Sequence, residues 1–321
     1  MHHGKISEEI ALGLKELGKR IDKAKIPPSK LDETLNLATW NIREFGKKSR
    51  LKASLHYIAE VLGQFDLIAV VEVRDNLADL AEVLHYLGPY WKAVFSDYIT
   101  DSGGNRERVA YIYDKRAVVF NGLAAEAEPP RTKNQQGEYV SQISWWRSPY
   151  LASFRAGDFD FILITAHIRW DAKGGEQSRI KELKLLADWV EKRRKEKYVE
   201  DKDIIVMGDF NIPKIDDALF QAVTKNGLRI PDKLRGTHGS NLARDKRYDQ
   251  ILYYQEHTAA IKQASPAGVM DYYEGGIDKL YPDTKLTKEK FTYQMSDHLP
   301  LWVQLNVDID EEKLDQLIQG K

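Results

Sequence analysis

The 321-residue chain carries 48 basic and 49 acidic side chains, a formal charge of -1, with 42% hydrophobic and 30% charged residues and no cysteine. This balance excludes a disordered or fibrous chain, and it excludes the global basic footprint of a tight nucleic-acid binder, so any contact with nucleic acid has to be local. Without cysteine there are no disulfides or thiolate ligands, which leaves oxygen and imidazole donors for a metal; no apolar run approaches the roughly 18 residues of a spanning helix, and no stable membrane association is expected.

Met1-His2-His3-Gly4 lacks the apolar core of a signal peptide, and its histidine pair resembles a tag remnant. Compartment stays undetermined at this stage, with cytoplasm and bacterial export both consistent. Ile6, Ile10, Leu14, Leu17 and Ile21 recur at helical spacing until Pro27-Pro28, which predicts an N-terminal helix lying outside the main fold. From Leu35 onward, strands are predicted at Leu35–Trp40, Leu67–Val73, Ala93–Phe95, Val109–Tyr113, Tyr150–Phe154, Phe159–Ala166, Ile204–Met207, Gln250–Tyr253 and Leu301–Leu305. Helical patterns fall between them at Lys52–Leu62, Leu77–Leu87 and Glu176–Lys197, the last ending in the solvated charge run Glu191–Lys197. No linker or repeat divides this α/β region. The expected organisation is a helical extension over 1–30, one domain over 31–308 and a helical tail over 309–321, with a short helix at Glu311–Ile318.

The polar residues beside these apolar runs carry the functional signal. Asn41 follows Leu37–Trp40, Glu72 lies within Ile68–Val73, His167 follows Phe161–Ala166, Asp209 and Asn211 follow Ile204–Met207, and Asp297-His298 precedes Leu299–Leu305. Strand ends are where α/β proteins build their sites, so the repetition suggests convergence on one cleft. Taken singly, each residue has a plainer use: Gly208-Asp209-Phe210-Asn211 as an Asx-type turn, Glu72 as a surface partner of Arg74 or Arg43, His167 as a satisfied strand-end histidine, Asp297 as a loop cap. Together they supply every part of phosphodiester cleavage: hard oxygen ligands for Mg²⁺, Mn²⁺ or Ca²⁺, amides to orient phosphate oxygens and two histidines to move protons.

The ordered set Thr39-Trp40-Asn41-Ile42-Arg43, Val71-Glu72-Val73-Arg74-Asp75, Arg106-Glu107-Arg108, Arg147-Ser148-Pro149, Thr165-Ala166-His167, Gly208-Asp209-Phe210-Asn211, Tyr248-Asp249-Gln250-Ile251 and Ser296-Asp297-His298-Leu299-Pro300 resembles the endonuclease/exonuclease/phosphatase superfamily, deoxyribonuclease I branch. Each motif is weak alone; their order across residues 35–305 is specific. The resemblance implies a four-layer α/β/β/α sandwich of two facing mixed sheets with helices outside. It also implies Glu72 as principal metal ligand helped by Asn41 and Asp297, and Asp209 with Asn211 positioning phosphate and nucleophile. His298 is then oriented by Asp249 and His167 by Glu107, as histidine–carboxylate dyads. We assign His298 as base and His167 as acid; the reverse assignment is the alternative.

The same resemblance points to DNA as substrate, cut with little sequence preference. His167 stands where abasic-site enzymes typically carry tyrosine. Arg43 and Arg74 resemble minor-groove arginines, and Arg106-Glu107-Arg108 and Arg147 a phosphate-contacting neighbourhood; the plainer alternative pairs Arg43 and Arg74 with Glu44 and Asp75 on a surface. Asn105, in Gly103-Gly104-Asn105, occupies the substrate-facing position where the branch places a groove-stacking tyrosine, which puts the usual cutting preference in doubt. Trp145-Trp146 is available for stacking on bases or for the core. The alternatives are a sphingomyelinase or inositol-polyphosphate phosphatase, for which the loose aromatic stretch Tyr272, Tyr273 and Tyr281 would be the contact, and a catalytically silent nucleic-acid or protein-binding module.

Overall fold

The computed structural model describes residues 2–98, 100, 105–141, 144–170, 175–236, 239–262 and 264–311, with Leu314 and Ile318. In chain order the elements are α1 (Glu8–Lys23), β1 (Thr34–Phe45), α2 (Lys52–Leu62), β2 (Leu67–Arg74), α3 (Ala78–Leu87), β3 (Trp91–Phe95), β4 (Glu107–Asp114) and β5 (Val119–Glu126). There follow β6 (Thr132–Lys133), β7 (Tyr139–Val140), β8 (Tyr150–Ala156), β9 (Phe159–His167), α4 (Glu176–Lys195), β10 (Ile204–Asp209), α5 (Ala218–Thr224), α6 (Asp232–Arg235), β11 (Asp249–Tyr253), β12 (Ala267–Val269), α7 (Lys288–Gln294) and β13 (Leu301–Asn306).

Two mixed sheets face each other. The first runs β12-β13-β1-β2-β4-β3 and the second β11-β10-β9-β8-β5, with β1–β2 and β9–β10 as parallel pairs. Side-chain alternation explains the layering. In β9, Phe159, Phe161 and Leu163 turn inward to the core shared with the first sheet, while Ile162, Ile164 and Ala166 turn outward to pack with Ile180, Leu183 and Leu186 of α4. β10 repeats this, with Ile205 and Met207 inward and Ile204 and Val206 outward. Helices α2 and α4 are the crossovers of the two parallel pairs, so they cover opposite outer faces and complete the expected α/β/β/α sandwich.

The N-terminal helix departs from expectation. Ser7 caps α1 by accepting from the Ile10 N–H, and Leu17 is fully buried with Ile10 and Ile21 in the main core. Arg20, 2% exposed, donates from Nη1 to the Tyr272 carbonyl at 2.9 Å. The apolar stripe was legible, but the helix lies on the main fold rather than outside it because α2 and the Tyr272–Tyr281 segment supply a face for it. Tyr272 and Tyr281 are accordingly core residues and not an exposed aromatic stretch. The predicted tail helix at Glu311–Ile318 lies largely outside the described residues. β5 escaped prediction because as an edge strand it is mostly exposed and has no alternating apolar face.

Candidate active site

The inward alternation of the second sheet continues past its apolar residues. His167 shares the parity of Phe161 and Leu163, Asp209 that of Ile205 and Met207, and Asp249 that of Ile251. The three are register partners in a row, His167 opposite Asp209 and Asp209 opposite Asp249. All therefore point at the first sheet from one end of the sandwich.

The first sheet answers with Asn41 and Glu72, and here strand ends are the wrong description. Both residues lie inside their strands, where the β1–β2 register shifts between Asn41 and Phe45 and the β2–β4 register shifts between Val70 and Val73. Glu72 has φ +62, a left-handed conformation costly for a residue with a Cβ, and this irregularity turns its carboxylate to the cleft. Eight non-glycine residues have positive φ among the described residues, and Glu44, Glu72, Asn105 and Asn211 of these line one cleft.

Asp209 is the hub. Its Oδ2 accepts from Asn41 Nδ2 at 3.0 Å and stands 3.7 Å from Nε2 of both His167 and His298. Asn41 Nδ2 also donates to Glu72 Oε1 at 2.9 Å, and that oxygen is 3.9 Å from His167 Nε2. The other ring nitrogens complete two dyads: His167 Nδ1 with Glu107 Oε2 at 2.9 Å, and His298 Nδ1 with Asp249 Oδ2 at 2.7 Å. Each dyad spans the sandwich, pairing a residue of one sheet or its immediate approach with one of the other. The His298 backbone is fixed as well, since its carbonyl accepts from Trp40 Nε1 and the Tyr272 hydroxyl, and its N–H donates to Ser296 Oγ.

Charge is distributed unequally between the dyads. Burial alone would raise Glu107, but His167, Arg147 and Asn105 hold its carboxyl at about 2. Burial likewise opposes charge on His167, and Glu107 outweighs it to raise the imidazole pKa. In the other dyad, Asp249 and Asp209 overcome burial to hold His298 well above its ordinary 6.5, while burial also raises Asp249.

The remaining predicted residues divide. Arg147 lines the cleft but its guanidinium is committed to Glu107, at 2.8 and 3.0 Å, and Asn105 donates to the same carboxylate at 3.2 Å. Arg74 is buried beside Glu107 (3.6 Å) and Glu44 (3.8 Å), so it supplies counter-charge within the protein and not a groove contact. Asp75 pairs instead with Arg106. Arg43 stays on the cleft, held by the Thr292 and Tyr293 hydroxyls, with Asp297 at 3.9 Å on the same wall. Asn211 donates its side-chain amide to the Ile168 carbonyl and its backbone N–H to Asp209 Oδ1, which makes it an orienter of Asp209.

Sequence reading missed Arg169, Trp170, Arg179 and Glu182. The cationic and aromatic residues directly after His167 were the available signal. Trp145 is buried against Trp189, whereas Trp146 is exposed on the cleft, so the tryptophan pair is split between the two uses.

The donors suit a hard divalent cation. Glu72 and Asp209 converge on one amide, the Asn41 Oδ1 is a buried acceptor with no hydrogen-bond partner, and no thiolate is present. Asp209, Asp249 and His298 also place ligand atoms within 4.8 Å of one another. Because Asp249 is engaged by His298, Glu72 and Asn41 form the better set, with Asp297 lining the same cleft of about 630 Å³.

No family model and no curated protein matches this sequence. Solved structures do match. The human Nocturnin catalytic domain aligns with a TM-score of 0.54 and 15% identity over 87% of this chain and 96% of that one. An endonuclease/exonuclease/phosphatase family protein from Bacteroides thetaiotaomicron gives 0.55 and 18% over 86% and 99%. The mannosyl-6-phosphatase Bt3783 of that bacterium gives 0.51 and 18% over 84% and 99%. With two facing mixed sheets and these matches over most of its length, the chain has the endonuclease/exonuclease/phosphatase fold.

Proposed function

We propose that this protein is a divalent-metal-dependent hydrolase of phosphodiesters, with the DNA backbone as its substrate. The observation that carries the reading is the pair of histidine–carboxylate dyads whose free Nε2 atoms both stand 3.7 Å from one carboxylate oxygen of Asp209. One imidazole is there to take a proton from the attacking water and the other to give one to the departing oxygen, and phosphodiester hydrolysis needs both. His298, oriented by Asp249, is assigned as base; His167, oriented by Glu107, as acid to the 3′ oxygen. Glu72, Asn41 and Asp297 would hold Mg²⁺, or Mn²⁺ or Ca²⁺ in its place, which when bound supplies positive charge beside the phosphoryl oxygens. Asp209 positions the nucleophile and Asn211 fixes Asp209.

The fold does not select the ester, since one structure sharing it is a mannosyl-6-phosphatase. Arg43, Arg169 and the exposed rings of Trp146 and Trp170 around the cleft support a nucleic acid, which offers both phosphates and bases. Supercoiled plasmid, sphingomyelin and inositol polyphosphates, each with Mg²⁺, Mn²⁺ or EDTA, separate the readings. Plasmid nicking is expected, abolished by EDTA and by Glu72→Ala and weakened by salt through counterion displacement. Turnover of only the lipid or the inositol phosphates would refute DNA as substrate while keeping a phosphoesterase.

A further inference from the structure

Of the seven tryptophans, Trp40, Trp145 and Trp302 are buried and Trp91 and Trp189 half-buried. Trp146 and Trp170 are 41% and 50% exposed, and both lie on the catalytic cleft. Other exposed aromatic rings, such as Tyr90, Tyr139 and Tyr198, lie elsewhere. An indole left in water at a polar cleft forgoes the gain of burial unless a ligand covers it.

Both rings are also held in place. The Arg169 guanidinium lies over the Trp146 ring at 3.9 Å, and the Trp146 backbone N–H donates to Glu182 at 2.7 Å. The Arg179 guanidinium lies over Trp170 at 4.5 Å and is itself anchored, being 7% exposed and donating to the Asn211 carbonyl at 2.7 Å. Tyr248 meets Trp170 edge-on at 5.8 Å and lies 5.7 Å from the His298 ring. Trp146 therefore connects through its neighbour Arg147 to the His167 dyad, and Trp170 through Tyr248 to the His298 dyad. The two indoles line one cleft with both proton-transfer groups.

From this arrangement we infer that Trp146 and Trp170 form stacking subsites for unpaired nucleobases on the two sides of the scissile phosphate, so that single-stranded nucleic acid is the preferred form of the substrate. The inference rests on the phosphodiesterase reading and adds a substrate form to it. Stacking needs an open base face, which a strand without a partner offers and a continuous duplex keeps inside its own stack; the guanidinium stacked on each indole steadies the ring and leaves it one further face to offer.

The test is fluorescence anisotropy in EDTA with a labelled oligothymidylate strand, the corresponding duplex, and an abasic strand of equal length. The single strand should bind about 10-fold or more tighter than the abasic one, and Trp146→Ala and Trp170→Ala should each weaken it by about 5- to 100-fold. Trp→Phe at either position, which keeps an aromatic face, should restore most of the affinity. Equal binding of base-bearing and abasic strands, a preference for the duplex, or unchanged affinity in both alanine variants overturns the inference. Hydrolysis of bis-p-nitrophenyl phosphate by the unaltered protein with Mn²⁺, and its loss in Glu72→Ala, reads the phosphodiesterase assignment separately. Absence of that hydrolysis overturns the assignment and this inference with it.

Discussion

His167 and Asp209 are direct register partners across the parallel strands β9 and β10, one step beyond the pair Ala166 and Gly208. That step cannot carry a side chain. Gly208 has φ +129, and a Cβ there would sit 2.2 Å from the Ala166 carbonyl oxygen. Gly208→Ala should therefore push the strands apart next to the hub carboxylate, costing at least about 2 kcal/mol of stability and about 10²-fold in turnover. Urea midpoints with plasmid nicking rates check both, and a variant as stable as the parent would disprove this role for the glycine.

His167→Ala and His298→Ala should each lower turnover by about 10²-fold or more while the fold persists. The acid and base assignments separate on an ester whose leaving group needs no proton, such as bis-p-nitrophenyl phosphate. There His167→Ala should recover much of its deficit and His298→Ala should not. The opposite pattern reverses the roles.

The carboxylates of the two dyads differ in what they leave behind. Glu107→Gln strands the guanidiniums of Arg147 and Arg74, whose side chains are 11% and 9% exposed. Removing one partner of a buried ionic group costs about 3–5 kcal/mol, so this variant should lose stability as well as activity. Asp249→Asn strands no guanidinium and should act mainly on turnover, by about 10²- to 10⁴-fold. Denaturant midpoints that match in the two variants would contradict the distinction.

Glu182 introduces a pH dependence. Burial lifts its carboxyl from 4.5 to about 7, against the opposing Trp146 N–H and the nearby Arg147. Between those values the folded chain binds more proton than the unfolded chain, so this group makes stability fall as pH rises from about 4.5 to about 7, with no further loss above. Glu182→Gln keeps an acceptor for Trp146 and removes the titration. Relative to the parent it should gain about 1–3 kcal/mol across that window, and parallel stability–pH curves for the two proteins would rule the effect out.

Helix α1 reaches the site through the core. Leu17 is fully buried, and Arg20 holds the carbonyl of Tyr272, whose hydroxyl donates to the His298 carbonyl at 2.6 Å. Leu17→Ala should destabilise by about 2–5 kcal/mol, measured by urea unfolding. A cost within about 0.5 kcal/mol, the range of surface changes, would show that α1 is only loosely attached.

How much of this could be read beforehand follows from the range of each interaction. The alternation Phe161, Leu163, Thr165, His167 is local, so the strand and the inward direction of its last residue were visible in the residues themselves. The location of Glu72 within its strand was visible too, but not the register shift and positive φ that aim it, because these depend on both neighbouring strands. Arg74 was read with Asp75 and Arg43, its neighbours in sequence or motif; its actual partners, Glu107 and Glu44, come from β4 and β1. The stripe of α1 was plain, whereas its docking face comes from α2 and, in part, from residues more than 200 positions away. Arg169 and Trp170 went unread because a cation stacked on an indole has no fixed sequence spacing.

Each imidazole and its carboxylate come from opposite halves of the sandwich, Glu107 with His167 and His298 with Asp249. Neither half contains a complete proton relay, and the Asn41 amide that ties Glu72 to Asp209 crosses the same gap. Loosening the inter-sheet seam would thus extinguish turnover while every strand remained hydrogen-bonded to its own neighbours. On the proposed function, turnover would gauge closure between the layers, and it should fade ahead of any spectroscopic sign of lost secondary structure.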